Sequence, residues 1–543
     1  MAAKLHGSVE VSMPELASTQ SVPSASGPER LLHPDTHALR RPDVVAYKMH
    51  ESGEEVTWAQ LQDRSQRCAR LLRSLGVGVG GGIAMLLDNH PRFLELCWAA
   101  QRSGLYFTPI SWHSTVTEVA YIVENSGASV LLTSSKFAAV AEAAAELLPG
   151  VTLFSVDEPF GSFGSYLEAR DGQAAGPLDD EQFGDDMLYT SGTTGRPKGV
   201  RRPLSGDPID RYPDLYLLYA RTGFDERAVH HSAGPLYHAS PLHTTMVAMT
   251  FGGTVIIADH FEAEGALELL RTHRVTHSNW VPTHFVRMLR LPKAVRDSYD
   301  LSSLELVIHG AAPCPVWAKV EMIDWVGPIV LEYYGGSEGF GSCLITSAEW
   351  LLHLGSVGRS TEGTIHILDE ETKIELPIGE IGLVYFESRA KMTYHGDHEK
   401  TAAVRTKEGW ATLGDIGHID ADGYLYLADR RADLIITGGV NVYPREVEER
   451  LLEHPLIADA AVIGIADSDF GERVHAIVET SGPIGDPVAF AADVIAHCRE
   501  TLAKFKCPRG VDVVDELPRQ ENGKLYKRLL KDQYRTVAGR APQ

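Results

Sequence analysis

Cysteine is scarce in this chain and shows no pairing pattern. Cys68, Cys97, Cys314, Cys343, Cys498 and Cys507 are scattered over 543 residues, with no C-x-x-C among them. This excludes the thiol clusters of zinc ribbons and the disulfide frameworks of small secreted domains, and fits reduced thiols in a cytoplasmic protein. Long apolar runs are missing too: no stretch of about 18 apolar residues occurs, so no membrane insertion is expected. Positive charge is in deficit. Fifty Lys and Arg against 73 Asp and Glu leave a formal net charge of −23, which argues against nucleic acid or an anionic membrane as the main partner. No G-x-x-x-x-G-K-[ST] loop is present, which removes the Walker A class of phosphate sites. His230, His231, His238 and His243 crowd together, but in none of the usual zinc spacings. Residues 1–30 are rich in Ser, Pro and Glu and lack an apolar h-region; they read as a disordered tail, not a signal peptide.

What remains is an ordinary globular composition, 44% hydrophobic and 23% charged, too long for one core and therefore expected to form at least two domains. Thr57-Trp-Ala-Gln60 has the form of a capping box, and Leu61, Cys68, Leu71, Leu72 and Leu75 continue one apolar face. Short apolar runs at 83–87, 106–110 and 129–133 alternate with helical segments at 91–103 and from Thr115. Alternation of this kind predicts βαβ units and a buried, largely parallel sheet. The fold class expected is therefore α/β.

The stretch around which the chain is organised is Leu188 to Val200, Leu-Tyr-Thr-Ser-Gly-Thr-Thr-Gly-Arg-Pro-Lys-Gly-Val. Gly192 and Gly195 sit among the hydroxyls of Thr190, Ser191, Thr193 and Thr194, and Lys198 follows. Glycines let backbone N–H groups converge on one point, hydroxyls add short donors, and a nearby cation completes a cradle for polyphosphate oxygens. A Ser/Thr/Gly surface loop is the plain alternative. The stretch closely resembles the phosphate-binding loop of the adenylate-forming superfamily, which comprises acyl-CoA synthetases, peptide-synthetase adenylation domains and luciferases.

Later segments fall in the order that this resemblance requires. His238, in Pro235-Leu-Tyr-His-Ala-Ser240, matches a gate between nucleotide and acyl sites. Leu304 to Pro313 reads as a strand ending in small residues, against which a flat base can lie. The match places adenine between Tyr334 and the backbone of Gly310, Ala311 and Ala312, with Gly335 adjacent. It gives Ser337, where the family usually has threonine, a phosphate contact, and Glu338 a magnesium ion. A lone carboxylate suits Mg²⁺, which keeps much of its water and shares phosphate oxygens. Asp415 would accept the ribose hydroxyls and Arg430 would donate to the sugar or the α-phosphate. Asn522-Gly523 is a turn signal that puts Lys524 at an exposed tip, where it matches the lysine of the family's final motif.

One segment imitates another chemistry. Gly335-Gly-Ser337-Glu-Gly339 satisfies the G-x-S-x-G nucleophile elbow, and Asp415 and His418 follow in hydrolase order. Those two are too local in sequence to make convincing triad partners, and a hydrolase leaves the phosphate loop unexplained.

The resemblance covers residues 31 to 531. It implies a large multi-sheet α/β domain over 31–429, a hinge at 430–432 and a smaller mobile α+β lid over 433–543. The residue matching the hinge pivot is Ala432, where the family often carries aspartate or lysine. The activity implied is ATP-dependent conversion of a carboxylic acid to an acyl-adenylate with release of pyrophosphate. Lys198 and Lys524 would serve that step, and CoA would then take the acyl group past Gly438 and Gly439. An amide synthetase using an amine as acceptor, and a non-catalytic binder of the same fold, are the alternatives. The identity of the acid stays open, as does a homodimer; Asn279 to Thr283 and Gly335-Gly336 point to a roomy, largely apolar acyl pocket.

Overall fold

The computed structural model describes residues 33–190, 197–209, 222–387, 390–467, 469–519 and 524–538, with side chains through 534 in the last segment. The expected local signals shape the first half. Thr57 caps helix Trp58–Ser74 with a reciprocal box to Gln60, and Thr115 caps Val116–Ser126 in the same way through Glu118. Strands Gly82–Leu86, Tyr106–Ile110 and Ala128–Thr133 lie where the apolar runs are, and all three belong to one parallel six-stranded sheet.

A second, nine-stranded sheet carries the site. Its centre is a parallel run of Val45–Met49, Thr254–Ile257, Val229–Ser232, His277–Trp280, Leu306–His309 and Val330–Gly335. Antiparallel strands close both edges. Met49, Val255 and Ile257 of this sheet share one core with Ile83, Met85, Phe107 and Val130 of the six-stranded sheet. Helix Phe93–Arg102 lies inside that core, with all ten of its residues buried. A helix covered on every side must pair its charges. Glu95 accordingly accepts from Tyr166 and Arg170 at 2.7 Å each, and Arg102 binds Glu181 and Asp35.

A four-stranded antiparallel sheet between Ile365 and Arg430 leads to the C-terminal part. There five strands, including the long hairpin Ile457–Asp467 and Gly471–Thr480, pack helices Pro444–Leu452 and Pro487–Arg499 over their own core of Val447, Val462, Val474 and Val494. The architecture is thus a large multi-sheet α/β domain followed by a smaller α+β domain.

Candidate active site

The carboxyl ends of the central parallel strands open on one cavity of about 3020 Å³. Tyr237 and His238 follow strand Val229–Ser232, Val281 and Pro282 follow His277–Trp280, Ala311 to Pro313 follow Leu306–His309, and Gly336 to Glu338 follow Val330–Gly335. Ligands of open α/β sheets collect at such strand ends, because loops there can diverge without breaking the sheet. The C-terminal domain supplies Lys524 to the same cavity, and Arg430 reaches it from the junction.

The phosphate side is built on a hairpin. Leu188–Thr190 pairs antiparallel with Lys198–Arg201, placing Thr190 opposite Lys198. Ser191, Gly192, Thr193, Thr194 and Gly195 lie outside the described residues. Lys198 stands over the Tyr394 ring at 5.1 Å, and the Tyr394 hydroxyl donates to Glu338 Oε1 at 2.9 Å. Burial and then Lys400 lower the Lys198 pKa, while Glu338 and Asp397 oppose them. Beyond the hairpin, Arg202 binds Asp185 at 2.7 and 2.8 Å and Asp186 at 2.9 Å, and reaches the Ser337 carbonyl at 3.4 Å. His243 closes the cluster on Asp186 at 2.8 Å. Sequence reasoning left Arg202 without a role; in the fold it ties the hairpin to the Ser337–Glu338 turn.

The base side departs from expectation in one respect. Ala311, Ala312, Tyr334 and Gly335 line the cavity, but Gly310 does not. A Cβ on Gly310 would fall 2.6 Å from the Tyr333 ring, so its bareness serves Tyr333 and not a base. Ala311 holds a left-handed φ of 68°, uncommon for a residue with a Cβ. The Tyr334 hydroxyl donates to Asp415 Oδ2 at 2.5 Å, and Arg430 Nε lies 3.4 Å from Asp415 Oδ1. Burial and then the Asp415 charge push the Tyr334 phenol well above its ordinary range.

Glu332 also lines the cavity and was missed by the sequence reading. Tyr333, likewise overlooked, bonds the Ser240 hydroxyl, which accepts from Asn279 at 3.0 Å, so a phenol forms part of the wall expected to be apolar. Trp280, assigned to that pocket by sequence, is instead packed in the core against Phe285.

Lys524 is half-buried, not an exposed tip. Burial first and Arg430 second bring its pKa down to about 8, against the opposing pull of Glu338, Asp415 and Asp433. Lys524 in turn acts on His238, whose imidazole is held at about 3 by burial, then by the charge of Lys524 and by His113. His238 is therefore neutral throughout the physiological range. Gly438 and Gly439 are exposed and do not line the cavity. Both have left-handed φ, 58° and 79°, in the two-residue turn between Ile435–Thr437 and Val440–Val442. At the junction Ala432 offers only its carbonyl, which accepts from Lys531 at 3.0 Å.

The hydrolase reading fails on geometry. Asp415 and His418 lie three apart on strand Asp415–Ile419 and so face opposite sides. Asp415 is bound by Tyr334, while the His418 ring stacks on Tyr426 at 5.0 Å.

A cavity between two domains, lined by lysines, carboxylates and the Tyr334 ring, fits an enzyme that works on a nucleotide. The profile described as AMP-binding enzyme matches residues 34–393, and that of the AMP-binding enzyme C-terminal domain matches 446–524. The chain belongs to the AMP-binding enzyme family. It is 33% identical over 500 residues to a feruloyl-CoA synthase of an Amycolatopsis species, covering 91% of this chain and 96% of the relative. Among solved structures, ATP-bound MatB from Rhodopseudomonas palustris superposes with a TM-score of 0.78 at 29% identity, covering 94% of this chain and 99% of that one. The amide bond synthetase McbA from Marinactinospora thermotolerans gives 0.76 at 26% identity, covering 90% and 97%.

Proposed function

We propose that this cavity activates a carboxylic acid with ATP and passes the resulting acyl group from AMP to CoA. The observation that carries the reading is the meeting of Lys524 from the small domain with Lys198, Glu338, Tyr334 and Asp415 of the large one in a single cavity. A carboxylate approaching an α-phosphate meets like charge, so the work is positioning and charge stabilisation. Lys524 holds the carboxylate and the oxygen charge that develops. Lys198 and the loop after Thr190 hold the departing pyrophosphate. Tyr334 and Ala311 sandwich the base, Glu332 accepts from its amino group, and Asp415 with Arg430 fixes the ribose. Ser337 contacts a phosphate. Neutral His238 stands between the acyl and nucleotide sides and moves no proton there.

Glu338 suits Mg²⁺: it faces the cavity beside Lys198 with one oxygen already oriented by Tyr394, and phosphate oxygens and water would complete the shell. Bound there, the ion would offset phosphate charge. The arrangement described has Lys524 in the cavity and Gly438–Gly439 outside it, which suits the first step. The segment 430–432 is the hinge about which residues 433–543 turn, bringing the glycine turn to the CoA arm. The aryl acid in the name of the Amycolatopsis relative and the phenol of Tyr333 in the wall favour an acid of aromatic or comparably compact type.

The structural likeness to an amide bond synthetase supports the second reading, in which an amine intercepts the adenylate. A panel of aryl, alkyl and dicarboxylic acids, assayed for pyrophosphate release alone, with CoA and with simple amines, tests both. CoA-dependent thioester formation is expected. Amide formation with no response to CoA would select the second reading, and orthophosphate with ADP as direct products would refute both.

A further inference from the structure

A lysine fully removed from water is rare unless paired. Lys319, on helix Val316–Val326, has no exposed surface; it lies 4.6 Å from the Trp350 ring and 2.5 Å from Glu332 Oε2. Glu332 sits on strand Val330–Gly335 two residues before Tyr334, so both side chains leave the same face of the sheet. Its Oε2 is taken by Lys319. Oε1 has no hydrogen-bond partner among the described residues, and Glu332 lines the cavity together with Ala311, Ala312 and Pro313.

Two titratable groups beside this carboxylate are uncharged, while the charges of Arg445 and Glu449 reach Cys314 from helix Pro444–Leu452. His309, its register partner on the neighbouring strand, has Nε2 3.7 Å from Oε2, and burial with the Lys319 charge keeps its imidazole well below the usual range. Cys314 is a thiol pushed up by burial and by Glu332.

We propose that Lys319 is a positioning residue for nucleobase choice: by binding Oε2 it fixes Glu332 as an acceptor-only carboxylate whose Oε1 meets the amino edge of the purine, selecting 6-aminopurine over 6-oxopurine triphosphates. The proposal rests on the base position given above. An amino group donates to Oε1. The carbonyl of a 6-oxopurine would set acceptor against acceptor, so rejection comes from repulsion as well as from a lost bond. Were Lys319 only neutralising a buried charge, its loss would lower stability without altering base preference.

The test measures binding of ATP and ITP to the full chain across pH 6 to 9, with no acid present. Wild-type protein is expected to prefer ATP roughly tenfold to a hundredfold, the range of one hydrogen bond to a charged group. Lys319→Met deprives a buried carboxylate of its counter-ion, and such a group neutralises itself by taking a proton. The protonated acid can donate to a 6-oxo group, so the preference should fall toward unity at low pH and recover as pH rises. Lys319→Arg, which keeps the cation, should retain the wild-type ratio. A folded Lys319→Met protein that keeps that ratio at every pH overturns the proposal. Should Lys319→Met not fold, the neutral isostere Glu332→Gln decides: a ratio near one supports the acceptor-only carboxylate, and the wild-type ratio refutes it. If wild-type protein binds neither nucleotide, the base position itself has failed, which is a separate outcome.

Discussion

Lys524 carries the sharpest demand at the scale of single residues. In the proposed function its ammonium is the working form, and burial with Arg430 brings its pKa to about 8, so charge is complete well below that pH and is lost above it. The kcat/KM for adenylation should therefore fall about tenfold per pH unit above pH 8, while His238, held near 3, contributes no inflection between pH 5 and 8. Removing the ammonium by Lys524→Ala should cut acid-dependent ATP–pyrophosphate exchange by a factor of about a hundred to a thousand. Transfer to CoA from a supplied acyl-adenylate should fall far less; equal losses in both steps would mean that Lys524 does not leave the cavity. Lys524 and Glu338 could be found in the sequence because each sits in a contiguous string whose spacing matches a known motif. Glu332 and Lys319 could not, since they lie 13 residues apart on a strand and a helix and meet only in the fold. A faint signal existed: Lys319 shares a helix face with Met322 and Ile323, both buried, which is an odd place for an ammonium without a partner.

At the scale of elements, the turn Gly438–Gly439 is where sequence and structure give different reasons for the same residues. The sequence reading sets these glycines on the path of CoA; in the structure both φ values lie in the left-handed region that favours glycine. Leucine there would strain the hairpin whatever passes it. Asparagine tolerates the left-handed region and still adds a side chain, so Gly439→Asn is the informative substitution. It should leave ATP–pyrophosphate exchange within twofold and slow CoA thioester formation at least tenfold. Undiminished thioester formation would remove this turn from the CoA path. Local elements were otherwise readable from capping boxes and apolar runs, as at Thr57 and Thr115. The pairing of Leu188–Thr190 with Thr393–Tyr394 through Lys198–Arg201 was not, because it joins segments about 200 residues apart, where no local pattern reports.

For the molecule as a whole, buried histidine sets the response to acid. His231 is held at about 4 and His238 and His284 at about 3, while His230 and His309 lie well below the ordinary value, all chiefly through burial. The unfolded chain binds protons at these positions near pH 6.5, whereas the folded chain refuses them until pH 3 to 4 at His231, His238 and His284, and well below the ordinary value at His230 and His309. Stability is therefore complete above pH 6.5 and lost as pH falls below it, by about 1 kcal/mol per histidine per unit. The urea midpoint should drop clearly between pH 7.5 and 5.5, and an unchanged midpoint would show that these rings accept protons in place. The two-domain plan was legible because length and ordered motifs fix it; the way one cavity collects residues from Thr190 to Lys524 was legible only through the resemblance.

The central claim is that this cavity joins a carboxylate to AMP before any thiol is engaged. Acid-dependent exchange of labelled pyrophosphate into ATP, measured with Mg²⁺ and without CoA, tests it most directly. The account predicts exchange with at least one acid of the panel, abolished by Lys524→Ala and followed by AMP release when CoA is added. Exchange that never depends on an acid, or acyl-CoA formed from ATP with ADP as product, would contradict it.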